Sequence, residues 1–219
     1  MRAPLPPNEE QRLRVLRLFR ILDTESEKSF DDLTRLAAAI CDTPIGVITL
    51  LDEDRQWFKS RVGLSASETS REVAFCAHAI LQDDVLIVRD ASDDPRFADN
   101  PLVTSDPSVR FYAGAPLVVT GGASLGTLCV IDFKPRQLTA AQLDALKILR
   151  HAVVTQLELR RAVGDLRALE QLIPICANCR SVRYPDGSWT FLDNDLARPA
   201  QLSHVLCPDC SAHVAKRAV

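Results

Sequence analysis

Four of the seven cysteines form two pairs of equal spacing, Cys176-Ala177-Asn178-Cys179 and Cys207-Pro208-Asp209-Cys210. Two intervening residues let both thiolates of a tight turn reach one metal ion, and two such turns complete a tetrahedral zinc site. His204, just upstream of Cys207, is an alternative fourth ligand, although a surface or supporting role is the simpler reading. Val182–Leu192 reads as a hairpin between the pairs, turning at Asp186-Gly187. Redox dithiols of the thioredoxin type open a helix within a βαβ unit, and neither pair shows that context. The spacing matches neither common iron–sulfur pattern. Residues 173–219 hold few large apolar side chains, so a metal is expected to fold them. They carry five Lys/Arg against four Asp/Glu, and a four-thiolate centre adds negative charge. No basic stripe emerges, so nucleic-acid binding through this tail ranks below protein contact or a structural role.

The elements that must position this chemistry follow from apolar spacing. Helices are predicted over residues 8–22, with Asn8 as cap, and over 29–41, with a stripe of Leu33, Leu36, Ala37 and Ile40. Ile45–Leu51 is apolar on both alternating faces and predicts a strand covered on both sides. It forms a hairpin with Gln56–Val62. Ser70 caps a short helix over Val73–Leu81, and Leu86–Asp90 is a further strand. A helical turn follows Asp94-Pro95. Arg110–Val119 and Leu125–Asp132 are strands joined across Gly121-Gly122. Thr139 and Gln142 are spaced as a capping box opening a helix that meets no proline before Pro174. Its apolar positions, Leu146, Leu149, Val153, Leu157, then Leu159, Val163, Leu166, Leu169 and Ile173, keep no single heptad frame. That favours an extended connector over a regular coiled coil. The composition is 47% hydrophobic and 25% charged with a net charge of −3, which implies a packed core and argues against a general polyanion binder. No apolar run is long enough to cross a bilayer and the first residues lack a signal-peptide core, so a cytoplasmic protein with reduced thiols is expected.

Several segments together carry a family resemblance: Asn8–Leu13, Ile21–Thr24, Phe30–Leu33, Arg55–Ser60, Ala74–Leu81, Phe111–Leu117 and Gly126–Asp132. As a set, over about residues 8–161, they closely resemble bacterial GAF domains, which often stand at the front of histidine kinases and diguanylate cyclases. The resemblance implies an antiparallel sheet flanked by helices, a ligand cavity on one face, and dimers formed through the first and last helices. The tail resembles a cysteine-paired segment at the ends of some bacterial sensor proteins. No kinase phosphoacceptor box, cyclase signature or Asn-Lys-Phe-Asp-Glu cyclic-nucleotide signature is present.

The cavity implied by the resemblance makes Phe75, Cys76, His78 and Tyr112 the candidate ligand-binding residues. Bilin attachment beside a histidine is disfavoured because Ala77 separates Cys76 from His78. The free methionine-R-sulfoxide reductases are GAF enzymes with cavity cysteines, and Cys76 falls near one such position. The loop expected to supply its partner reads Pro95–Asn100 and holds no thiol, so Cys76, like Cys41 and Cys129, reads first as a small buried hydrophobe.

The fold class expected is α+β: an N-terminal helical region (1–28), a GAF-like antiparallel sheet flanked by helices (29–161), a long connecting helix (139–172) and a small zinc-ribbon-like module (173–219). The function expected is a cytosolic signalling protein, non-catalytic, in which a small molecule or a partner protein biases the sensor and the helix passes the change to the zinc tail. No catalytic residue is assigned. One structural zinc, a homodimer and no membrane contact are expected. The alternatives are a sulfoxide-reductase-like redox enzyme and a regulator that binds nucleic acid through its tail.

Overall fold

The computed structural model describes residues 2–170, 173–184, 187–191 and 202–217. The chain divides into two compact units, residues 1–161 and 162–219. Among the described residues, no helix is long and apolar enough to cross a membrane.

The first unit is built on six strands: β1 (Ile45–Leu51), β2 (Arg55–Val62), β3 (Glu68–Ser70), β4 (Leu86–Val88), β5 (Phe111–Val118) and β6 (Ser124–Asp132). They form one sheet in the order β3-β2-β1-β6-β5-β4, every neighbouring pair antiparallel. Strand β1 lies in the middle and every residue of it is buried, as its unbroken apolar run requires. Alternation sends Ile48 and Leu50 of β1 and Leu128 and Val130 of β6 to one face. Val47 of β1 and Cys129 of β6 go to the other.

The first face is covered by α1 (Glu9–Leu18), α2 (Lys28–Cys41) and the start of α5 (Ala140–Glu170). Helix α5 opens on the capping box its sequence predicts: the Thr139 N–H donates to Gln142 Oε1 (3.0 Å), and the Gln142 N–H donates to Thr139 Oγ1 (3.2 Å). Leu146, Leu149, Val153 and Leu157 are all buried against the sheet. Three expectations need correction. Helix α1 ends at Leu18, because the chain turns through a left-handed residue at Arg20 (φ 46°) to bury Phe19 and Ile21. Helix α2 does not present the Leu36 and Ile40 stripe to the core; it buries Phe30, Thr34, Ala37, Ala38 and Cys41. It packs so close to β1 that a Cβ on Gly46 would lie 2.8 Å from the Thr34 carbonyl oxygen, so small residues must face the sheet. Ile173 leaves the α5 stripe and starts a strand instead, while residues 171–172 lie outside the described residues.

The second face carries a short 3-10 turn (Arg71–Val73) capped by the Ser70 hydroxyl, then α3 (Phe75–Ala79), so the single helix expected over Val73–Leu81 is divided at Ala74; α4 (Pro101–Thr104) follows. Helix α4 was not predicted, though Asn100-Pro101 is a cap followed by proline at the first helical position. Asn100 accepts from the Leu102 N–H at 2.9 Å and donates to the Val73 carbonyl at 3.0 Å, tying α4 to the lead-in of α3.

The second unit is a four-stranded sheet of order β10-β7-β8-β9, followed by α6 (Pro208–Arg217). Its strands are β7 (Ile173–Cys176), β8 (Ser181–Arg183), β9 (Trp189–Phe191) and β10 (Leu202–Val205). The predicted hairpin is present as β8 and β9, with Val182 paired to Thr190 and Gly187 at φ 86°. Asp186 and Leu192 lie outside the described residues. Strand β10 and helix α6 were not foreseen. The second cysteine pair opens a helix that was not expected, the Ser211 N–H donating to the Cys207 carbonyl at the start of α6, but among the described residues no strand follows α6 to complete a βαβ unit.

Candidate functional site

In the second unit, β7 ends on Cys176 and a tight turn carries the chain to Cys179, while Cys207 and Cys210 flank the start of α6. Their four sulfur atoms all lie within 4.8 Å of one another. Cys179 Sγ and Cys207 Sγ are 3.6 Å apart. Ligands at the Zn–S distance of ~2.3 Å in a tetrahedron stand about 3.8 Å apart, so the four thiols are positioned to bind one metal ion. Donors surround the sulfurs as well: the Cys207 N–H to Cys176 Sγ (3.4 Å), Asn178 Nδ2 to Cys210 Sγ (3.3 Å), and the Ser181 hydroxyl beside Cys179 Sγ (3.2 Å). Backbone N–H groups of Cys179 and Cys207 bring the Cys176 thiol down to about 6. Such hydrogen bonds favour the thiolate that a metal takes as ligand. His204 is exposed on β10 opposite Ile175, and the cluster is complete without it.

In the first unit, Phe75, Cys76 and Tyr112 are brought together in the core of the second face. Phe75 stacks on Phe97 (centroids 4.1 Å apart) and tilts against Tyr112 (5.2 Å). His78 is half-buried at the margin, its ring edge-on to Phe97 at 4.8 Å. The core here is not uniformly apolar. Cys76 Sγ accepts from the Tyr112 hydroxyl (3.2 Å) and the Thr127 hydroxyl (3.1 Å), and stands 3.9 Å from Cys129 Sγ. The Thr127 hydroxyl lies 3.1 Å from that of Thr49.

Two glycines make room for this arrangement. A Cβ on Gly114 would sit 2.0 Å from the Tyr112 hydroxyl oxygen, and one on Gly126 would sit 1.8 Å from the Thr49 carbonyl oxygen. Burial pushes the Cys76 thiol up, but donors from Cys129, Thr127, Thr49 and Tyr112 together outweigh it and bring it down to about 7. Cys129 and Tyr112 are both pushed up, Cys129 first by its hydrogen bond to Cys76 and Tyr112 first by burial. No thiol stands near Cys76 in the sequence, yet the fold brings Cys129 to it. Thr49 and Thr127 escaped notice, and Cys129 read only as a buried strand residue, because threonine and cysteine are ordinary in strands; the pairing of β1 with β6 brings them to one spot.

Beside this core lies an open groove of about 720 Å³, lined by Ile87, Val88, Asp90, Asp93, Asp94 and Arg96 among others. None of the four candidate ligand residues lines it. Two of its acids are already paired: Arg110 grips Asp90 through two contacts (2.7 and 2.6 Å), and Arg96 grips Asp94 likewise (2.9 and 2.6 Å).

Comparison with known proteins gives this geometry its context. The GAF domain family matches residues 25–159. A cyclic di-GMP phosphodiesterase of Pseudomonas aeruginosa is 34% identical over 207 residues, covering 93% of this chain, which spans 35% of that relative's length. The expectation that the chain is not an enzyme is overturned by this relative, whose name is that of an enzyme. Among solved structures, the GAF domain of an Acinetobacter phosphoenolpyruvate-protein phosphotransferase has a TM-score of 0.51 at 22% identity, covering 71% of this chain and 98% of that one. The chromophore-binding domain of a bacteriophytochrome from R. palustris has a TM-score of 0.52 at 12% identity, covering 73% and 65%. At these identities the two structures speak for the fold. With the family match extending over more than half of its length, the chain belongs to the GAF domain family and carries a sensory module.

Proposed function

We propose that this chain is the sensory segment of a cyclic di-GMP signalling system and sets the rate of a phosphodiesterase. The observation that carries the reading is the extent of the match to the Pseudomonas enzyme. A 93% coverage cannot be confined to residues 1–161, so it reaches into the cysteine-rich unit. In this reading the GAF unit responds to a small molecule or a partner, and α5 carries the response to the four-cysteine unit, which holds a structural zinc. Helix α5 is 31 residues long, about 46 Å. Ile148, Leu159, Val163 and Leu166 on it remain exposed, and we propose that a second copy of the chain covers them in a parallel helical pair.

The test exchanges the matching third of the Pseudomonas enzyme for this chain and follows cyclic di-GMP hydrolysis. The reading expects an active hybrid whose rate changes when Cys207→Ser disrupts the metal centre. A folded, active hybrid indifferent to the state of either unit contradicts it. The isolated chain is assayed alongside, and turnover by it alone would assign the activity to this chain in place of its control.

A further inference from the structure

We propose that Cys76 and Cys129 form a buried dithiol that small peroxides oxidise to a disulfide, making the GAF unit a redox-responsive site whatever it regulates. The two residues are 53 positions apart in sequence, one on α3 and the other on β6, yet their sulfur atoms lie 3.9 Å apart. A disulfide needs about 2.05 Å between sulfurs, so the pair must close by roughly 2 Å. Of the two elements, α3 is the shorter: a five-residue helix tied to the rest of the face by the Asn100 bond to Val73 and by Phe75 packed on Phe97. An uncharged oxidant as small as hydrogen peroxide reaches the buried pair when α3 lifts transiently from its packing on Phe97 and Tyr112.

The surroundings argue against a cysteine that merely fills space. Thiols that pack as small hydrophobes sit among apolar side chains, as Cys41 does on the other face, where burial raises it to about 11. Cys76 instead has the hydroxyls of Tyr112 and Thr127 aimed at its sulfur. Gly114 and Gly126 are the residues without which Tyr112 and the Thr49–Thr127 pair cannot take these positions. Hydroxyl donors stabilise a thiolate, the form that attacks peroxide. The roles within the pair follow from the opposite shifts: Cys76 toward the thiolate, Cys129 keeping its proton.

With hydrogen peroxide as oxidant, the Cys76 thiolate attacks one peroxide oxygen and the O–O bond breaks. The departing hydroxide takes up the proton lost from the Cys76 thiol and leaves as water, and Cys76 becomes a sulfenic acid. The Cys129 sulfur then attacks the Cys76 sulfur, and the S–O bond breaks. The hydroxide released takes the Cys129 proton and leaves as a second water. Two thiols and one peroxide thus give one disulfide and two waters, and a small dithiol such as dithiothreitol reverses the change by exchange. The new bond would fasten α3 to β6, whose neighbouring residues Leu128 and Val130 pack on the opposite face with α1 and α5.

The test uses the full chain as purified, with its metal. Folded protein is treated with hydrogen peroxide, remaining thiols are alkylated, and digested peptides are read by tandem mass spectrometry. A peptide pair linked through Cys76 and Cys129, lost on dithiothreitol treatment, is the expected result. Cys76 should lose its alkylation at least about tenfold faster than Cys41, as their thiolate tendencies require. In Cys129→Ser the reaction should stop at a Cys76 sulfenic acid trapped by dimedone. Should that variant fail to fold, the wild-type peptide map decides alone. Recovery of Cys76 and Cys129 as free thiols under conditions that oxidise the cysteines of the tail overturns the proposal, and so does a Cys76 bonded to any other cysteine.

Discussion

Lys59 has a side chain with no exposed surface, and the sharpest test of the first unit's energetics lies in how its charge is met. Its ammonium donates to Glu27 Oε1 (2.7 Å), the Thr24 hydroxyl (3.0 Å) and the Glu25 carbonyl (2.6 Å). Glu27 Oε1 also accepts from Arg160 Nε of α5 at 2.8 Å, and Arg160 reaches the Arg20 carbonyl at 3.1 Å. One carboxylate therefore joins strand β2, the segment ahead of α2 and the turn of α5 that carries Arg160. Glu27→Gln removes the charge and keeps the shape. Breaking a buried ion pair from one side costs about 3–5 kcal/mol. Lys59 keeps two of its three acceptors, and Glu27 is itself 33% exposed, so water meets part of the loss. We expect about 2 kcal/mol, or a fall in Tm of roughly 4–8 °C for a unit of this size. Urea and thermal unfolding at pH 7, read by near-ultraviolet circular dichroism, measure it. Asp32→Asn is the control: its bonds to Lys28 and Arg35 join exposed groups and their loss should leave the unfolding midpoint nearly unchanged. If Glu27→Gln is no more damaging than Asp32→Asn, the argument that this carboxylate holds the three elements together is wrong.

Glu9 offers a pH test. Burial pushes its carboxyl up, but bonds from Arg12 and Arg71 outweigh this and lower it from 4.5 to about 2. The lowered value means stability fully present above 4.5 and lost as pH falls toward 2, by about 2 kcal/mol once screening is allowed for. Glu9→Gln should remove that portion of the acid sensitivity, and urea midpoints measured between pH 5 and pH 2 check it. Gly114→Ala should cost about 1–3 kcal/mol by pushing the Tyr112 ring aside, and dimedone labelling of Cys76 should slow with it. Chelation or Cys207→Ser should expose the second unit to protease while the first stays resistant, since a structural metal supplies roughly 10–16 kcal/mol of apparent binding free energy to such small modules. Elemental analysis of the same samples should find one zinc per chain lost.

What could be read in the sequence was whatever a local pattern determines. Leu146, Leu149, Val153 and Leu157 repeat at helical spacing and are buried as that spacing requires. The paired cysteines announce a shared metal because each pair is a local turn, and the GAF segments were recognisable as a set. Half of the α2 face was misread: Leu33 and Ala37 meet the core as their spacing requires, but Leu36 and Ile40 stay exposed, and hydrophobic size gives no hint that β1 approaches too closely for them. The meeting of Cys76 with Cys129 depends on how β1, β5 and β6 are ordered and aligned, and no periodicity within one strand encodes that. Helices α4 and α6 were avoidable omissions: Asn100-Pro101 and Cys207-Pro208 each place proline at a first helical position.

Helix α5 carries two apolar rows, and their relation limits how its length can change. At about 100° per residue, Leu146, Leu149, Val153 and Leu157 form one row, while Ile148, Leu159, Val163 and Leu166 form another roughly 120° around the axis. Within the helix the two rows are thereby held at a fixed rotational phase about its axis. Inserting one residue after Leu157 swings the second row through about 100°, whereas inserting seven returns it to within roughly 20°. Tolerated insertions and deletions in this helix should therefore come in steps near seven, and a graded series of them reads out phase separately from distance.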